Sequence, residues 1–180
     1  GNAADDFIDV FDPEFIFIVG PNQQEQVEAH LRKFHPEKKY HFVLQEDMRG
    51  QSHALYQARE FLQNGPMLMT FSDTLIETDL ALLKDKKLES AVWVKPVPDP
   101  RRFGVAVIKD DETVIKLVEK PESIENNLAM VGFYYFSDGG KLIHAIEEQM
   151  QRNITLKNEF FLADAVNLLL EMGVEMRVQR

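Results

Sequence analysis

The stretch "GPMLMTFSDTLIETDL", residues 65–80, runs an apolar segment, Met67-Leu68-Met69-Thr70-Phe71, straight into Ser72-Asp73, with Glu77 and Asp79 close behind. A strand covered on both faces reads as a continuous apolar run. Asp73 is therefore expected where the chain leaves the core, at the carboxyl end of a strand. Open α/β sheets bind their ligands along that edge.

Working outward, residues 15–19 form a second β-rich run, ended by Gly20-Pro21, and Val27, Leu31 and Phe34 then recur at helical spacing. Residues 40–44 read as a strand. Residues 51–63 read as a helix with Ala54, Leu55, Ala58 and Leu62 on one face, stopped at Asn64-Gly65. Strand, helix, strand, helix, strand at these intervals predicts βαβ units with right-handed crossovers, hence a mostly parallel sheet covered by helices. The pattern changes after residue 88. Short strands are expected over 91–97, 104–108 and 113–118, with "KDDET" as the hairpin turn between the last two, so this part is antiparallel or mixed. Another β-rich stretch spans 128–136, helices follow over 140–152 and 158–172, Gly173 stands as the C′ residue, and 174–178 is a last strand. The expected class is α/β: a Rossmann-like, mostly parallel (mixed) sheet flanked by helices, in one domain over residues 1–180.

At 180 residues the chain suits one domain with a sizeable core. A formal charge of −10 argues against nucleic acid and anionic membrane as partners, which call for a basic field. A phosphorylated small molecule remains compatible with an acidic chain through a divalent metal and a few local cations. There is no cysteine, hence no disulfide framework or thiolate chemistry, and neither a long apolar span nor a signal peptide is visible. The expected setting is cytoplasmic.

In a parallel arrangement Gly20, Gln45 and Ser72-Asp73 all emerge at one carboxyl edge. Gln45 offers an acceptor and a donor pair suited to a base edge, and Gly50 lets a backbone approach closely. Asp73 supplies a hard oxygen ligand for Mg²⁺ or is a solvated loop carboxylate. Gly104, opening a strand in "DPRRFGV" (99–105), marks a bulge or a close approach; Arg101-Arg102 beside it are phosphate contacts or a wet loop. In "VEKPE" (118–122) Glu119 can accept from neighbouring sugar hydroxyls and Lys120 can neutralise a phosphate, or the two are an exposed pair at a strand end. The five histidines are scattered and suggest no metal cluster; His53, near Gly50, reads as a capping or packing residue.

The stretches "IFIVG", "VLQEDMRGQSHAL", "GPMLMTFSDTLIETDL", "DPRRFGVAVI", "KLVEKPE", "NNLAMVGFYYF" and "NEFFLADAVNLLLEMG" follow one another in order across residues 15–180. This series resembles the sugar-nucleotide pyrophosphorylases, most closely the glucose-1-phosphate thymidylyltransferase-like nucleotidyltransferases. The resemblance implies a nucleotide-diphospho-sugar transferase fold, and a Mg²⁺-dependent reaction in which a sugar 1-phosphate attacks the α-phosphorus of an NTP and pyrophosphate leaves. Carried over by position, it makes Gln45 and Gly50 the base-recognition pair and Asp73 a nucleotide contact, Mg²⁺ ligand and catalytic residue. It makes Gly104, Glu119 and Gly132 sugar-pocket residues, with Lys120 both catalytic and near the sugar phosphate. Ser72 stands where the family usually has glycine. The family's glycine-rich triphosphate loop would precede residue 15 and its second metal-binding aspartate would follow residue 180, so the fold is expected to be incomplete at both ends of this sequence. That leaves a non-catalytic sugar-phosphate or nucleotide-binding domain as the alternative. dTTP and UTP are the nucleotides implied, the sugar stays open, and a homo-oligomer is expected by resemblance.

Overall fold

The computed structural model describes residues 13–71, 78 and 80–180. The chain begins with a β-α-β unit. Strand β1 (Phe15–Val19), helix α1 (Gln24–Phe34) and strand β2 (Tyr40–Leu44) place the two strands parallel, from Phe15 opposite Tyr40 to Val19 opposite Leu44. Leu31 anchors α1 as its buried residue. The expected 51–63 helix comes as two pieces, α2 (Gln51–Gln57) and α3 (Arg59–Leu62). Ala58, at φ −96° and ψ 11°, separates them, and its N–H donates to the Leu55 carbonyl three residues back, the tighter bond of a closing turn.

The remaining strands are β3 (Met67–Thr70), β4 (Ser90–Pro96), β5 (Gly104–Ile108), β6 (Val114–Glu119), β7 (Leu128–Phe136) and β8 (Arg177–Gln179); α4 (Gly139–Gln151) and α5 (Leu162–Glu171) lie between β7 and β8. They form a mixed sheet ordered β6-β5-β7-β4-β8, with β3 also on β7. The second crossover thus carries β3 antiparallel to β7, Met67 opposite Phe136 and Thr70 opposite Phe133, rather than beside β2. The α/β class with a mixed sheet and flanking helices holds. Among the described strands, β1–β2 and β4–β8 pair parallel, while β3–β7, β4–β7, β5–β6 and β5–β7 pair antiparallel.

Alternation along the strands builds two cores. Val92, Val94, Tyr134 and Phe136 face Leu142, Ile146, Leu162, Val166 and Leu169 of α4 and α5. On the other face Trp93, Phe133 and Tyr135 meet Leu80, Leu83 and Leu88. Trp93 is a core residue: it lies edge-on to Phe133 at 4.7 Å, and its indole N–H donates to Thr78 Oγ1 at 3.1 Å. The edge strand β6 would expose unpaired backbone. Asn167 of α5 covers it, its Oδ1 accepting from Leu117 N and its Nδ2 donating to Leu117 O, both at 2.8 Å. Among the described residues no helix is long and apolar enough to cross a membrane.

Candidate active site

Register alone brings Gly20 and Gln45 to one edge, because β1 and β2 end side by side and Gln45 N–H donates to the Val19 carbonyl at 2.9 Å. Gln45 is buried, and its Nε2 donates to the Gly50 carbonyl at 3.4 Å, so the two residues lie side by side. Gly50 sits at φ +101°, a conformation that disfavours any side chain. A Cβ there would lie 2.7 Å from both the N and the O of Phe160. The close approach that glycine permits is therefore to the protein's own backbone. His53, one turn along α2, is buried, with its Nε2 3.2 Å from Gln57 Nε2. Burial, reinforced by the positive charge of Arg49, holds its pKa below the usual imidazole value, while Asp47 opposes.

The second group forms on the β5–β6 hairpin. Gly104 lies opposite Glu119 in the antiparallel register, and a Cβ on Gly104 would meet Glu119 Oε2 at 2.8 Å and the Met130 methyl at 2.3 Å. The missing side chain is what lets that carboxylate and the Met130 thioether share the space. Burial pushes the Glu119 pKa up; Lys120 pulls it down and Asp164 raises it further. Asp164, in the first turn of α5, is itself raised by burial. Lys120 takes φ +48°, and its N–H donates to the Phe103 carbonyl at 2.9 Å, which turns its side chain out of the strand's alternation. Gly132, at φ +76°, sits in the stretch of β7 where the pairing with β4 slips between Val92 and Val94, an irregularity of the bulge kind. Its carbonyl accepts from Phe71 N–H at 3.2 Å, at the end of β3. Gly132 therefore borders the point at which the chain runs on to Ser72-Asp73. Asp73 itself, on which the catalytic and metal expectations rested, lies outside the described residues, as do Glu77 and Asp79.

What joins the two groups is a strap, residues 158–162, to which the sequence reading gave no role. Lys157 and Asn158 both take positive φ, and Leu156 and Glu159 exchange two 3.0 Å backbone bonds across them, a tight reversal that delays α5 until Leu162. Phe160 is then clamped against α2: its N–H donates to Arg49 O at 2.9 Å, its carbonyl accepts from Ser52 N–H at 3.0 Å, and the Arg49 guanidinium lies over its ring at 5.3 Å. Gln51 Oε1 accepts from Leu162 N–H at 3.0 Å. From the other side the fully buried Gln149 of α4 donates to the Phe161 carbonyl at 2.9 Å. The Phe161 ring faces Lys120 Nζ at 5.9 Å. A chain of contacts thus runs from Gln45 and Gly50 through Phe160 and Phe161 to Lys120 and Glu119. Gln51 and Gln149 were not predicted, since their partners lie 111 and 12 residues away. Only the buried position of a polar residue on an apolar helix face marks Gln149 in the sequence.

The nearby loop charges are quieter. Arg101 is held by Asp99 through two bonds of 2.8–2.9 Å, and that hydrogen bonding draws the Asp99 pKa down to about 2. An arginine engaged in this way favours the wet-loop reading over a phosphate contact. Among the described residues no group of three or more His, Cys, Asp or Glu is placed to hold a metal ion. A cleft of about 590 Å³ opens at the other end of β7, where Glu89, Asp138, Lys141 and His144 line it; none of the predicted residues does. The site is accordingly placed by chemistry and convergence, and not by cavity size.

Comparison with known proteins bears on the family and the fold. The model of the nucleotidyl transferase family matches residues 12–175. A bifunctional protein GlmU from Methanocaldococcus jannaschii is 30% identical over 156 residues, covering 87% of this chain and 36% of that protein. A glucose-1-phosphate thymidylyltransferase from Streptomyces griseus is 28% identical over 144 residues, covering 77% and 39%. The chain thus spans a little over a third of these relatives. Among solved structures, a nucleoside-diphosphate-sugar pyrophosphorylase from Vibrio cholerae superposes with a TM-score of 0.82 at 17% identity, over 99% of this chain and 77% of that one, a likeness of fold. With the family model matched along nearly its whole length, the chain belongs to the nucleotidyl transferase family.

Proposed function

We propose that the protein is a sugar-1-phosphate nucleotidylyltransferase, joining a sugar 1-phosphate to dTTP or UTP to give an NDP-sugar and pyrophosphate. The observation that carries this reading is the rim on which the strap links Gln45 and Gly50 to Gly104, Glu119 and Lys120. Relatives named for thymidylyl transfer support the reaction class. Gln45 Nε2 is engaged by the Gly50 carbonyl, which leaves its Oε1 to accept the imide N–H of thymine or uracil. Glu119, once ionised, accepts from adjacent sugar hydroxyls, and the Lys120 ammonium balances the sugar phosphate. Gly132 lines the sugar side, beside the end of β3.

In the reaction a phosphate oxygen of the sugar 1-phosphate bonds to the α-phosphorus, while the bond from that phosphorus to the oxygen bridging to the β-phosphate breaks. No protein nucleophile is required, so alignment and charge neutralisation do the catalytic work. Mg²⁺ dependence is part of the proposal, with Asp73 as the ligand. The described residues alone do not make up a donor set for the ion, and no step is assigned to it. A cytoplasmic setting and a homo-oligomeric assembly belong to the same reading. The test is pyrophosphate release by the full-length protein with each NTP and sugar 1-phosphate, with and without Mg²⁺. Turnover with a thymidine or uridine triphosphate is expected. Tight binding without product would instead make the chain a non-catalytic binding domain.

A further inference from the structure

We infer that Gln51 is a positioning residue that aligns the two halves of the site; this rests on the reaction proposed above. Gln51 acts through the strap, by its side-chain bond to Leu162 N–H. Its side chain crosses from α2 to the first residue of α5, where Phe161, at the N-cap position, offers no side-chain cap of its own. A helix start leaves amide donors without partners, so the Gln51 oxygen closes the end of α5 from 111 residues away in the sequence. Gly50 precedes it, on the nucleotide side, and the strap that it pins carries Phe161, whose ring faces Lys120 on the sugar side.

The strap has little freedom to slide. Its Phe160 backbone fills the place a Cβ of Gly50 would take, and Arg49 O and Ser52 N–H hold it at either end. Gln149 fixes the Phe161 carbonyl from behind. Gln51 is the half-buried polar side chain that ties the Leu162 end of this clamp to α2. Without it the Leu162 end of the strap loosens, while Phe160 and the Phe161 carbonyl stay held. The Phe161 ring, between the held carbonyl and the loosened end, then shifts against the Lys120 ammonium that it faces. Reactions governed by alignment respond steeply to such a shift, a misplacement of 1 Å costing on the order of 10²-fold in rate.

The consequence is a split between binding and turnover. In full-length Gln51→Ala, dTTP alone and glucose 1-phosphate alone should each bind by calorimetry within about threefold of wild type, while kcat falls at least about tenfold. Gln51→Glu retains an acceptor oxygen, and a carboxylate at a helix N-terminus is favourable, so it should recover kcat to within about threefold of wild type. A merely structural role would lower stability and both affinities together and give no such split. An alanine variant with unchanged kcat, or a glutamate variant as slow as the alanine one, overturns the inference while leaving the proposed reaction intact. Wild-type protein that turns over no NTP and sugar 1-phosphate pair refutes the reaction itself and removes the premise of the inference with it.

Discussion

Replacing Gly50 by alanine separates a glycine kept for the protein's own packing from one kept only for a ligand. At φ +101° and ψ 177° the backbone lies in a region reserved almost entirely for glycine, at a cost of about 1–3 kcal/mol for another residue. The new Cβ would also stand 2.7 Å from Phe160 N and O and 3.0 Å from its carbonyl carbon, main-chain atoms that no rotamer change can clear. Relief requires the strap to withdraw, which weakens the bonds from Phe160 N–H to Arg49 and from Ser52 N–H to Phe160, each worth about 1 kcal/mol. The sum is about 3–5 kcal/mol, reduced by the 0.4–1 kcal/mol or so that alanine gains by restricting the unfolded chain. Gly65 is the control: it has φ +82°, and nothing lies within 4 Å of its Cβ position. Gly65→Ala should therefore lose only about 1 kcal/mol. For a chain of this size each kcal/mol shifts Tm by about 2–4 °C. Gly50→Ala should melt about 2–14 °C below Gly65→Ala in parallel circular-dichroism melts, with a lower midpoint in urea titrations. Equal melting of the two variants would refute the close-packing argument and return Gly50 to a role toward ligand alone.

Glu119→Gln should raise the sugar 1-phosphate concentration needed for half-maximal rate, read from initial rates, because a neutral amide accepts more weakly from sugar hydroxyls. The same variant should be more stable than wild type at pH 7. Burial holds the folded pKa of Glu119 above its ordinary 4.5, so its stabilising contribution is full below that value and is lost as pH rises through the folded pKa. The gain in Tm should therefore vanish near pH 4, and a gain that persists there contradicts the assignment. Asn167→Ala should cost about 2–4 kcal/mol in urea unfolding, since it leaves both backbone groups of the buried Leu117 without their partner. Asn167→Asp should fall between, keeping the acceptor for Leu117 N–H and losing the donor to its carbonyl.

Local periodicity made much of the scaffold readable. The strand at 128–136 coincides with β7, the β1-α1-β2 unit pairs parallel, and the hairpin around "KDDET" joins β5 to β6. Periodicity could not say which strand β3 would join: its apolar run fits any buried neighbour, and β7, apolar throughout, takes it. It also placed the start of α5 at 158, because helical spacing does not reveal that Lys157 and Asn158 adopt positive φ. At the site, the structure sets Gln45 against Gly50 and Gly104 opposite Glu119, residues that the motifs had singled out for ligand contact. The strap did not, since "NEFFL" carries no local sign that Phe160 would lie against Gly50 or that Gln51 and Gln149 would hold it. Contacts across 111 residues leave no mark on a single sequence.

The convergence of the two half-sites is tested most directly by a crystal structure of the full-length protein with dTDP-glucose. One bound molecule should set its base edge on the Gln45 amide and its glucose hydroxyls on the Glu119 carboxylate, with a phosphate within reach of Lys120. A product molecule seated in the cleft beside Asp138 and His144, or with its sugar beyond hydrogen-bonding distance of Glu119 while its base meets Gln45, would contradict the account.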